Sequence, residues 1–147
     1  MLRGISPKLS PELLLTLYRM EHGDEIVLAD AHFPGESYCT RIVRADGHII
    51  TDLLDGILPL MPLDSYVDFP MTMMEAVNGD TFDPRVEQSY KRILDKYEEN
   101  RYKIRKIEKE EFYKRSANSF AVVMSGETAK YGNIILQKGI IENAESG

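Results

Sequence analysis

Glu21-His22-Gly23-Asp24-Glu25-Ile26-Val27-Leu28-Ala29-Asp30-Ala31-His32-Phe33-Pro34 is the stretch that decides the fold class. Its centre, Ile26-Val27-Leu28, is apolar without alternation, the pattern of a strand covered on both faces. Titratable groups bracket it, with Glu21, His22, Asp24 and Glu25 before and Asp30 and His32 after. Loops at the ends of a buried strand are where α/β proteins carry chemistry, because they meet at the rim of the sheet.

Upstream, Ser10-Pro11-Glu12 starts a helix, with a capping serine, a first-turn proline and an acid that suits the helix dipole. Leu13, Leu14, Leu17 and Met20 share one face of it, and Gly23 is placed to close it with a left-handed cap. Downstream, residues 30–40 form a long loop, and Arg41–Arg44 a short strand ending at Asp46-Gly47. Thr51-Asp52 caps a helix carrying Leu53, Leu54, Ile57 and Leu58, which stops near Pro59 or Pro62. Asp64–Pro70 alternates polar and apolar residues and predicts a strand, followed by Met71, Met73 and Met74 as adaptable core filler.

Asp83-Pro84 opens the clearest helix, in which Val86, Tyr90, Ile93, Leu94 and Tyr97 form one stripe. A strand at Lys103–Ile107, a helix at Glu110–Ala117 and strands at Phe120–Met124 and Ile134–Leu136 complete the chain. Strands and helices alternate, which predicts a three-layer α/β/α sandwich with a mainly parallel, mixed sheet. With no linker, repeat or low-complexity segment, residues 1–147 are expected to form a single domain.

Composition narrows the function classes. The net charge of −6 argues against nucleic acid and against anionic membrane surfaces, both of which require a positive field. The basic residues between Arg101 and Arg115 are interleaved with Glu108, Glu110 and Glu111, as on a solvated helix face. No apolar run reaches bilayer length and no signal-peptide core is present. Cys39 is the single cysteine, so a cytoplasmic protein is expected.

A free imidazole titrates near 6.5, so His22 suits proton transfer, or else capping of a helix end. Asp30 is placed to orient that histidine or to accept hydrogen bonds from hydroxyls, or is simply a strand-end carboxylate. His32 fits a packing or loop role. His22, Asp24, Asp30 and His32 are metal-ligand types, but they lack a recognised ligand spacing, and no metal is expected. Late in the chain, Ser125–Asn133 combines Gly126 and Gly132, which permit close backbone approach, with Tyr131 and Asn133. An apolar ring face beside paired donors and acceptors suits a sugar, and also suits an ordinary hairpin loop. No Walker motif, dinucleotide fingerprint or nucleophile elbow is present.

Taken together, several segments resemble the L-fucose mutarotase and D-ribose pyranase family. They are Ser10–Leu14, His22–Pro34, Ile42–Gly47, Pro62–Val67, Glu111–Arg115, Phe120–Val123 and Gly126–Gly139, the last with Gln137 before the lysine. The Ala29–Pro34 and Leu63–Val67 segments look like the fucose branch. The resemblance implies an isomerase that interconverts the α and β anomers of L-fucose by acid–base ring opening, without a cofactor. D-ribose pyranase activity and a noncatalytic sugar-binding module are the alternatives.

By the same resemblance, His22 is the proton donor, and Asp30, Asp64, Met74, Tyr113, Tyr131 and Asn133 contact the monosaccharide. Lys109 stands where relatives often carry arginine, and lysine lacks the planar fork of a guanidinium, which bears on sugar preference more than on the reaction. Homo-oligomers, from dimers to ringed decamers, are implied too. The expected site places His22 and Asp30 on one cavity lined by Tyr131 and Asn133.

Overall fold

The computed structural model describes residues 1–142. Along the chain run α1 (Pro11–Arg19), β1 (Glu25–Ala29), α2 (Gly35–Tyr38), β2 (Ile42–Ala45), α3 (Ile50–Ile57), β3 (Met71–Met74), α4 (Pro84–Glu98), β4 (Arg105–Ile107), α5 (Lys109–Ala117), β5 (Ala121–Ser125) and β6 (Ile134–Gln137). The six strands form one sheet in the order β2-β5-β1-β6-β3-β4. The pairs β2–β5, β5–β1 and β3–β4 are parallel, whereas β6 is antiparallel to both β1 and β3. The expected mixed sheet is thus observed, with β6 the one reversed strand.

Alternation along β1 divides the core in two. Ile26 and Leu28 face a layer built from α1, α3 and α4, where they meet Leu13, Leu54 and Leu94. Val27 and Ala29 face the opposite layer, with Phe33 and Phe112 of α5. Both faces being covered is why β1 lacks polar alternation. Leu13 is 1% exposed, so Leu13→Ala would cost about 2–5 kcal/mol.

The helix starts behave as their sequences require. Ser10 accepts the Leu13 N–H, and Asp83 accepts the Arg85 N–H. Three local expectations differ from the structure. Gly23 does not cap α1, which ends at Arg19; it sits at φ +90° in the turn before β1 and donates its N–H to Lys138 O at 2.8 Å. The helix expected to be capped by Thr51 starts at Ile50, without a side-chain cap. Residues 64–70 are not a strand; the pairing begins at Met71, so the methionines themselves form β3 and fill the core. Pairing with the end of β6 is confined to an isolated bridge between Leu63 and Lys138 and to the Asp64 N–H, which donates to Gln137 O at 3.0 Å. Among the described residues no helix is long and apolar enough to cross a membrane.

Candidate functional site

The sheet separates two clusters. At the carboxyl ends of β1 and β3 lies an open cavity of about 270 Å³, lined by Asp30, Met74, Lys109, Tyr113, Tyr131 and Asn133. That volume is near the lower end of small-ligand sites, about 300–1,000 Å³. His32, Phe33, Val77, Asp80, Ala129 and Lys130 complete the wall. Six of the residues predicted to contact a ligand therefore meet in one place, from four separate segments of chain.

Asp30 directly follows β1, and its N–H donates to Asn133 Oδ1 at 2.7 Å while its own Oδ1 accepts the His32 N–H at 2.9 Å. Asn133 therefore offers the cavity its NH2 end. Burial pushes the Asp30 carboxyl above its usual range, although the N–H groups of His32 and Phe33 offset part of the effect. Such a carboxylate is a stronger proton acceptor than a solvated one. Tyr113 packs edge-on against Phe33, with ring centroids 5.2 Å apart, and Lys109 Nζ lies 5.5 Å from the Tyr113 ring.

The loop before β6 is held from below and from the side. Tyr90, buried in α4, donates its hydroxyl to Gly132 O at 2.8 Å. Tyr131 adopts a left-handed backbone, φ +58°, a conformation that costs energy in a residue with a side chain. Its hydroxyl donates to Asp80 Oδ2 at 2.5 Å and accepts the Val77 N–H at 3.3 Å. Lys130 and Tyr131 together hold the Asp80 carboxyl down to about 2, and that carboxylate in turn raises the Tyr131 phenol. No local sequence pattern distinguishes Asp80 from an ordinary turn aspartate. His32, expected in a packing or loop role, lines the cavity. Gly126 serves the fold rather than a ligand, since a Cβ there would lie 2.2 Å from Asp46 O.

His22 and Asp64 lie at the other end. His22 Nε2 is 3.0 Å from Asp64 Oδ1, and Tyr66 packs against the imidazole with centroids 5.3 Å apart. The imidazole is half exposed and the carboxylate buried. Burial by itself raises Asp64, but the Tyr66 N–H, His22 and Gln137 outweigh it, leaving the carboxyl below its ordinary range. With Nε2 engaged, Nδ1 is the nitrogen available to a reactant.

This corrects the expected convergence of His22 and Asp30 within one chain. β1 lies between them, and five residues of strand span roughly 17 Å. Asp64, not Asp30, orients the imidazole, and neither His22 nor Asp64 lines the cavity. The set His22, Asp24, Asp30 and His32 is divided by the same strand. Beside the His22 cluster runs an apolar groove of about 590 Å³, lined by Leu14, Tyr18, Leu60, Ile140 and Ile141 among others.

The model of the RbsD / FucU transport protein family matches residues 3–141. A protein of Haemophilus influenzae (strain 86-028NP) named L-fucose mutarotase is 52% identical over 140 residues, covering 95% of this chain and 97% of that one. The crystal structure of the fucose mutarotase from Streptococcus pneumoniae, in complex with L-fucose, superposes with a TM-score of 0.88 at 44% identity, covering 96% of this chain and all of that one. RbsD of Bacillus subtilis, complexed with D-ribose, shares the fold at a TM-score of 0.73 but only 19% identity. The chain belongs to the RbsD / FucU family.

Proposed function

We propose that the protein is an L-fucose mutarotase, an isomerase that exchanges the α and β anomers of the free sugar at a site shared between copies of the chain. The observation that carries this reading is the single cavity formed by Asp30, Met74, Tyr113, Tyr131 and Asn133. It presents the Asp30 carboxylate, an amide donor, phenols and apolar surface, the chemistry needed to grip a ring of hydroxyls.

The reaction is a proton exchange around one carbon. A proton goes to the ring oxygen, the anomeric hydroxyl gives one up, the bond from C1 to the ring oxygen breaks, and a carbonyl forms at C1. Rotation about the C1–C2 bond presents the other carbonyl face, and reclosure reverses the transfers. Atoms balance, and nothing is oxidised or reduced. His22 serves as the proton donor through Nδ1, and Asp30, made basic by burial, receives the proton of the anomeric hydroxyl.

Because His22 and Asp30 occupy opposite ends of β1, one chain cannot bring them to the same sugar. A head-to-tail contact between two copies can, and such contacts form a ring when the rotation between copies closes. The groove with Tyr18, Leu60 and Ile141 gives the His22 end an apolar surface to bury against a neighbour. The reading places the enzyme in the cytoplasm, where Cys39 remains a thiol.

Saturation-transfer NMR on L-fucose, with D-ribose alongside, is the test. Accelerated α/β exchange of fucose is expected. Binding of fucose by calorimetry without acceleration would make the protein a sugar-binding module instead.

A further inference from the structure

Gln137, the last residue of β6, holds Asp64 at two points. Its carbonyl accepts the Asp64 N–H at 3.0 Å, and its side-chain amide donates to Asp64 Oδ2 at 3.0 Å. Asp64 Oδ1 faces the Tyr66 N–H and His22 Nε2, each at 3.0 Å. Both carboxylate oxygens are thereby committed. A carboxylate held at one oxygen swings about a broad terminal torsion, and the donor at Oδ2 removes that freedom. Gln137 reaches this end because β6 is antiparallel: the same strand places Asn133 at the cavity and Gln137 beside Asp64.

The neutral charge of the glutamine matters in these surroundings. The turn of His22 carries Glu21 and Asp24, and Ser65 holds Glu142. Glu98, Arg101 and Tyr102 stand beyond Asp64 at the end of α4. Glu25, the register partner of Gln137, is paired with Arg115, and Lys138 is spent on the carbonyls of Leu17 and Met20. Gln137 thus supplies Asp64 with a donor without adding charge to a pocket already rich in acids.

We propose that Gln137 is a positioning residue, which fixes the plane of Asp64 and through it the imidazole with Nε2 bonded and Nδ1 presented for proton transfer. This role rests on His22 being the proton donor of the mutarotase.

The experiment compares full-length Gln137→Glu, Gln137→Met and His22→Ala, following the imidazole of His22 by NMR titration and fucose exchange by saturation transfer. Gln137→Glu keeps the length, sets a second carboxyl against Asp64 Oδ2 and adds one charge once that pair has ionised. The titration midpoint of His22 and the pH profile of kcat should both move upward by about one unit. Gln137→Met keeps the bulk and loses the donor, and kcat should fall by about tenfold with KM little changed.

A wild-type titration and a wild-type pH profile in folded Gln137→Glu would overturn the role. If that variant does not fold, wild-type kcat in Gln137→Met overturns it. His22→Ala separates the two layers: exchange that survives His22→Ala sinks the His22 assignment and this role with it. Exchange abolished by His22→Ala but indifferent to both Gln137 variants sinks the role of Gln137 alone.

Discussion

His22 and Asp64 are 42 residues apart in sequence and 3.0 Å apart in space, and the carboxylate of the pair is buried while the imidazole faces outward. The buried partner fixes which ring nitrogen is bonded, leaving the other to meet a reactant. Removing the outward member should therefore affect chemistry and spare the fold. His22→Ala is expected to slow fucose exchange by about two to four powers of ten, with an unchanged melting curve, measured by saturation transfer and circular dichroism.

Asp64 carries structural weight that His22 does not. Asp64→Ala leaves the Tyr66 N–H and the Gln137 amide without their acceptor, a loss of about 1–3 kcal/mol in urea unfolding. Its folded carboxyl titrates below the unfolded value near 3.8. The stability it contributes is therefore present above that value and is lost as pH falls through the folded one. Asp64→Asn should flatten this acid limb.

Asp30 has the opposite sign. Burial raises its folded carboxyl above the unfolded value of 3.8, so the folded state keeps its proton longer than the unfolded chain does. Stability from this group is complete below the unfolded value and declines as pH rises through the folded one. Asp30→Asn retains an oxygen for the His32 N–H, so the variant should fold, lose that decline, and bind L-fucose at least about tenfold more weakly by calorimetry.

Mixing tests whether the site is shared. His22→Ala and Asp30→Asn chains should each be inactive alone. When unfolded and refolded together, heads of one variant meet tails of the other, and random head-to-tail assembly restores about a quarter of the contacts with both residues intact. Recovery of exchange in the mixture, absent from either variant, is the expected result; a mixture as silent as its parts contradicts a shared site.

Asp80 anchors the Tyr131 hydroxyl at 2.5 Å and pairs with Lys130 at 2.6 Å. Asp80→Ala frees the phenol and loosens the 75–82 loop from the cavity. KM for L-fucose should rise several-fold, by about one hydrogen bond's worth of binding, while the pH profile of kcat stays in place.

The amino-acid sequence by itself determined the layers and most of the elements. The unalternating Ile26-Val27-Leu28, the capped starts at Ser10 and Asp83 and the stripe from Val86 to Tyr97 are local signals, since backbone period and end capping involve only near neighbours. The family was equally legible from short motifs. Only the tertiary structure decided which end of the sheet each site residue occupies. Asp30 meets Asn133 across 103 residues because β6 runs antiparallel to β1, and that same reversal delivers Gln137 to Asp64 at the far end. The strand expected at 64–70 is likewise decided by distant chain, since only Leu63 and the Asp64 N–H meet the end of β6 there and regular pairing starts at Met71. Strand direction depends on packing over the whole chain, so no window of neighbouring residues encodes it.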